Sequence, residues 1–210
     1  MTATIACLHT LPGLVPVFDA EGQKLGLTLR HRVRDDLLRE AERAGGLTDD
    51  IAARTAALLD ELAADADAVL LTCSTLGPSV TRAAAPVPVL RVDDALAEAA
   101  VKNGGRVVVL CAVETTLAPS RTLFERHAAK AGARIEMRLV PDAWAAFRAG
   151  DSPRFLELIA AAADAAFAEG ADAVALAQAS MSGAAPLARN GTPLASPAAG
   201  LAAAALAARN

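Results

Sequence analysis

Short, nearly unbroken apolar runs alternate along this chain with longer stretches of helical periodicity. Strands covered on both faces read as continuous apolar runs, so the alternation predicts an α/β fold built on parallel sheet. Strands are expected at residues 4–8, 25–33, 68–72, 87–92, 107–112, 135–140 and 173–177. The stretch 25–33 differs from the rest. Leu25, Leu27 and Leu29 alternate there with Gly26, Thr28 and Arg30, the period of a half-buried strand near a sheet edge. Helices are expected over 14–21, 35–44, 48–64, 93–103, 118–131, 144–149, 152–169 and 198–208. Thr48 and Asp93 can cap helix starts, while Gly45-Gly46 and Gly104-Gly105 close helix ends.

Two segments recur about half a chain apart. Residues 67–75, ending Thr72-Cys73-Ser74-Thr75, are matched at an offset of 105 by residues 172–180, ending Ala177-Gln178-Ala179-Ser180. An Ala-Asp-Ala-Val run opens both copies, so Cys73 corresponds to Gln178, Ser74 to Ala179 and Thr75 to Ser180. Residues 5–16 are matched by 108–119 at an offset of 103, each an apolar run leading into a Thr-containing loop and Leu-x-Pro. Near-equal offsets predict a duplicated half-chain and two similar lobes, with the boundary near residues 93–105. A duplicated strand with reactive groups at its end suits an active site in a cleft between the lobes.

Composition narrows the function. At 54% apolar residues the 210-residue chain can bury a sizeable core. Only 3% of residues are aromatic and the net charge is −4 without a basic run, which argues against nucleic acid as a partner. The apolar stretch 156–168 is interrupted by Asp164 and too short to span a bilayer, so no membrane role is expected. Three cysteines, and no basic-then-apolar leader, suggest a cytoplasmic protein without a disulfide framework. No Cys-x-x-Cys or His-x-x-x-His pair predicts a structural metal, and no Gly-rich phosphate loop predicts a nucleotide cofactor.

Ligands of open parallel sheets bind beyond the C-terminal ends of the strands. Four loops reach that edge: His9-Thr10, Cys73-Ser74-Thr75, Thr115-Thr116 and Gln178-Ala179-Ser180. Their hydroxyls, with backbone N–H groups at helix starts, are natural carboxylate receptors. Cys73 can shuttle a proton or attack carbon as thiolate, and His9 could orient or deprotonate it. Bland roles compete with these. His9 could cap a strand, Gln178 could be a core amide bonded to backbone, and Thr115 and Thr116 could cap a helix. Cys7 and Cys111 read as packed core thiols, and His31 and His127 as ordinary surface or helix histidines.

With Cys73-Ser74-Thr75 at a strand end, the repeated half, the Thr115-Thr116 loop and a last helix after Ser196-Pro197, the chain resembles the aspartate/glutamate racemase superfamily. That superfamily includes hydantoin racemases, maleate isomerases and arylmalonate decarboxylases. The resemblance implies two α/β lobes related by a pseudo-twofold, the first over 1–93 with 198–210 returning to it, the second over 94–197. It implies a cofactor-independent interlobe site for a small-molecule carboxylate, and it is compatible with a homodimer. Family racemases use two cysteines on opposite faces of the substrate's α-carbon. Cys73 matches the first; Gln178 stands at the second, and a neutral amide cannot exchange protons near pH 7. By the same resemblance Ser74 and Thr75 match positions that hold a substrate carboxylate, and Thr115 and Thr116 lie in the loop that does so from the other lobe. The expected function is thus a racemase- or isomerase-type enzyme using Cys73, with Thr10 and Ala179 beside the substrate and Gln178 and Ser180 steadying negative charge. The alternatives are a single-cysteine decarboxylase of a 2-substituted diacid, or a non-catalytic carboxylate binder.

Overall fold

The computed structural model describes residues 2–209. Two parallel four-stranded sheets form, each with flanking helices. In the first, β1 (Thr4–His9), β2 (Thr28–Val33), β3 (Ala68–Leu71) and β4 (Val89–Arg91) lie in the order β2-β1-β3-β4. In the second, β5 (Gly105–Cys111), β6 (Ala133–Leu139), β7 (Ala173–Leu176) and β8 (Leu194–Ala195) lie in the order β6-β5-β7-β8. One topology occurs twice. The described residues up to Ala95, with those from Pro197 onward, make one compact unit, and Leu96–Ser196 make the other.

The helices are α1 (Leu14–Lys24), α2 (Asp35–Arg43), α3 (Asp49–Leu62), α4 (Asp94–Val101), α5 (Leu117–Ala131), α6 (Ala143–Arg148), α7 (Ser152–Ala168) and α8 (Ser196–Ala207). Local chemistry sets several boundaries. The Thr48 hydroxyl accepts from the Ile51 N–H at 3.3 Å to open α3, and the Asp151 carboxylate accepts from the Arg154 N–H at 3.1 Å to open α7. The polar strand β2 sits at a sheet edge, and it starts at Thr28 because Gly26, in the left-handed region, turns the chain after α1.

The central strands carry the core. β3 is buried throughout, and successive residues of β5 serve opposite faces. Val108 and Leu110 pack with Val174, Leu176 and the α7 residues Phe155 and Ile159. Val107, Val109 and Cys111 pack instead with Leu96 of α4 and Leu123 and Phe124 of α5.

The duplication extends to single hydrogen bonds. The Thr4 N–H donates to the Asp67 carboxylate at 2.8 Å, and the Arg106 N–H to the Asp172 carboxylate at 2.7 Å. The Thr72 N–H donates to the Leu8 carbonyl as the Ala177 N–H does to that of Leu110. Leu8 is therefore equivalent to Leu110, which corrects the sequence match of the first strands by one residue. A slip of one residue exchanges the two faces of a strand, so the correction changes which side chains are counterparts: Thr10 corresponds to Ala112.

Candidate functional site

Cys73 follows β3 at the C-terminal edge of the first sheet and is 8% exposed. Three donors surround its sulfur: the Thr10 hydroxyl and the backbone N–H groups of Leu76 and Thr75. These bonds favour the thiolate, but burial outweighs them, and with the Asp93 carboxylate nearby it holds the thiol above its ordinary pKa. The resting thiol is thus protonated at neutral pH and sits in a cradle that strengthens when the proton leaves. Ser74 and Thr75 are buried beside it, at 4% and 1% exposure.

An ion pair lies near this loop. Arg91, at the end of β4, donates to Asp93 through Nε at 2.9 Å and through Nη2 at 2.7 Å. Gly77 leaves room for it, because a Cβ there would lie 2.7 Å from Arg91 Nη2. From sequence Asp93 reads only as a helix cap, and nothing singles out Arg91. Its sole local signal is an Arg-x-Asp spacing at the end of an apolar run.

Both ring nitrogens of His9 are engaged by groups other than Cys73. Its Nδ1 lies 2.8 Å from Thr72 Oγ1 and its Nε2 2.8 Å from His31 Nδ1, and its ring packs edge-on against Phe18. Side chains alternate along a strand, so His9 and Thr10 leave β1 on opposite sides, and only Thr10 reaches the thiol. His31 is likewise no ordinary surface histidine, since its Nε2 meets Asp19 Oδ1 at 3.0 Å.

In the second lobe, Gln178 follows β7 at the position equivalent to Cys73. Its Oε1 accepts from the N–H of Ala112 at 2.6 Å and of Val113 at 3.1 Å. Because both partners are donors, the amide orientation is fixed and its NH2 is the end left to donate. Gln178 therefore combines the core role and a potential site role. Ala179 and Ser180 begin the 3-10 segment Ala179–Leu187, and the buried Ser180 Oγ finds no hydrogen-bond partner among the described residues. Thr115 and Thr116 form the last two positions of a 3-10 turn ahead of α5, and the Thr116 side chain makes no capping bond there.

The model for the Asp/Glu/Hydantoin racemase family matches residues 23–205. The chain belongs to that family. Comparison with curated proteins gives no match. Among solved structures, the Picrophilus torridus aspartate racemase is similar at a TM-score of 0.78 and 13% identity, over 99% of this chain and 94% of that one. An aspartate racemase homologue from Pyrococcus horikoshii OT3 gives 0.66 and 14%, over 100% of each chain. An arylmalonate decarboxylase gives 0.64 and 18%, over 98% of this chain and 92% of that one. At these identities the structural likeness speaks for the fold, while membership of the racemase family rests on the sequence model.

Proposed function

We propose that this racemase-family protein is a cofactor-independent enzyme acting at the α-carbon of a small carboxylate, with Cys73 as its acid/base or nucleophilic group. The observation that carries the reading is the set of three donors converging on the Cys73 sulfur. A structural thiol in an apolar core needs no such cradle; a thiolate formed during turnover does. Ser74, Thr75, Thr115 and Thr116 supply hydroxyls for the substrate carboxylate. The Gln178 NH2 and the Ser180 hydroxyl are donors for the negative charge that develops when an α-proton leaves.

Gln178 marks the departure from two-cysteine racemization. With its oxygen held by two backbone N–H groups it accepts no proton, so the second face of the α-carbon is served by solvent or by another group. Loss of a carboxylate rather than a proton would leave the same carbanion-like intermediate, which keeps decarboxylation as the competing outcome. Chiral chromatography of a panel of single-enantiomer 2-substituted acids, incubated with wild type and Cys73→Ala, separates the readings. Cys73-dependent loss of enantiomeric purity supports the proposal. Cys73-dependent release of CO2 from a 2-substituted diacid moves the assignment to decarboxylase. Turnover undiminished in Cys73→Ala overturns the role of the thiol.

A further inference from the structure

Away from the Cys73 cradle, the first lobe holds a second chemical cluster. The Cys7 Sγ and one ring nitrogen from each of His9 and His31 lie within 4.8 Å of one another. The fold brings them together: Cys7 and His9 are two residues apart on β1 and share a face, and Cys7 is the register partner of His31 on β2. Cys7 and His9 are fully buried, while 14% of the His31 side chain reaches solvent from the edge strand.

The hydrogen count at this cluster is one short. The Thr72 hydroxyl donates to the Leu8 carbonyl at 3.1 Å, so toward His9 it can only accept, which places a hydrogen on His9 Nδ1. At the other end His31 Nε2 meets the Asp19 carboxylate at 3.0 Å, which places a hydrogen on that nitrogen. Both neutral rings then turn bare lone pairs toward each other across 2.8 Å. A cation must stand between them, either an extra proton or a metal ion. An extra proton would satisfy the two rings alone, whereas a metal ion also engages the Cys7 sulfur that lies with them.

We propose that Cys7, His9 and His31 form a binding site for a divalent d10 metal ion, zinc, separate from the Cys73 site. Imidazole nitrogen and thiolate sulfur are both zinc ligands. Each histidine already makes the outer contact that fixes a metal-binding ring, His31 to a carboxylate and His9 to a hydroxyl. Charge selects a divalent ion, because one thiolate and the Asp19 carboxylate together balance two positive charges. Tetrahedral zinc with bonds of about 2.0–2.1 Å to nitrogen needs the facing nitrogens to open by roughly half an ångström. The position of His31 on an edge strand, partly open to solvent, permits that movement. Binding a metal ion releases the Cys7 thiol proton, so it weakens as the medium becomes acidic.

The test is metal titration of the full chain after chelator treatment, with zinc read by competition against a chromogenic chelator and cobalt(II) as a spectroscopic probe. The site predicts one zinc per chain, a higher Tm with zinc than with EDTA, and a thiolate-to-cobalt charge-transfer band. Cys7→Ser and His31→Asn should each abolish the band, and Cys73→Ala should retain it. His31→Asn, on a half-exposed edge strand, keeps the test available if the buried Cys7 variant does not fold by circular dichroism. Absence of stoichiometric zinc uptake by wild type, or uptake that survives His31→Asn, overturns the site. Uptake of copper(I) with none of zinc overturns the divalent assignment.

Discussion

The Thr10 hydroxyl donates to the Cys73 sulfur, joining the loop after the first strand of the sheet to the end of the third. The second lobe repeats the connection with different atoms, since there the Ala112 N–H donates to Gln178 Oε1 at 2.6 Å. In both lobes the group at the end of the third strand is held by the residue that follows the first. The first lobe holds an ionisable atom this way and the second a neutral one, and the expected consequences differ accordingly.

Thr10→Val removes a donor that favours the thiolate while nearly preserving shape. A hydrogen bond to a charged group contributes about 1.5–3 kcal/mol. The expected loss in kcat/KM is therefore on the order of 10- to 100-fold, with little change in stability. Thr10→Ser should recover most of it. Steady-state kinetics with urea unfolding alongside checks both parts.

Gln178→Ala leaves the Ala112 and Val113 N–H groups without their acceptor. Each buried donor left unpaired costs about 1–3 kcal/mol, so the urea midpoint should fall. Gln178→Glu keeps an acceptor oxygen for both N–H groups but loses the NH2. Stability near wild type with depressed turnover in Gln178→Glu would identify the NH2 as a substrate donor. Unchanged turnover would reduce Gln178 to a structural amide.

The pH dependence follows from the Cys73 thiol. Burial raises its folded pKa, so the thiolate fraction is small at neutral pH and grows as pH rises. If the thiolate is the working base, kcat/KM rises with pH through and beyond the usual thiol range. Thr10→Val should move that rise to higher pH. A pH–rate profile of both proteins checks the direction.

Gly200→Ala tests the packing of α8. Alanine in a helix is normally better than glycine by about 1 kcal/mol. Here an added Cβ would lie 2.7 Å from Val92 Cγ2 and 2.9 Å from the Val92 carbonyl oxygen. Backbone gives way poorly, and overpacking costs about 1–3 kcal/mol. The variant should melt several degrees below wild type; a higher Tm would show that α8 is loosely seated.

The fold was legible because parallel strands buried on both faces announce themselves as apolar runs, and because Ala-Asp-Ala-Val recurs with its Asp capping the same backbone position twice. The two-residue β8 and the 3-10 segments were not legible, since they are too short to show a period. Within the site, the strand-end position of Cys73 was readable from its neighbours. Its donors were not: the Thr10 contact depends on which face of β1 each residue takes. For the same reason the sequence leaves the partners of His9 open, because it lists neighbours along the chain and not across strands. No ligand spacing along the chain marks the Cys7, His9 and His31 cluster, because its third member arrives through strand register.

The proposed chemistry is removal of a proton from the α-carbon of a small carboxylate by the Cys73 thiolate. Proton NMR in D2O on a panel of 2-substituted acids, with wild type and Cys73→Ala in parallel, tests it most directly. The α-proton signal should disappear without loss of carboxylate in wild type and persist in Cys73→Ala. Deuterium incorporation at equal rates in the two proteins would contradict it.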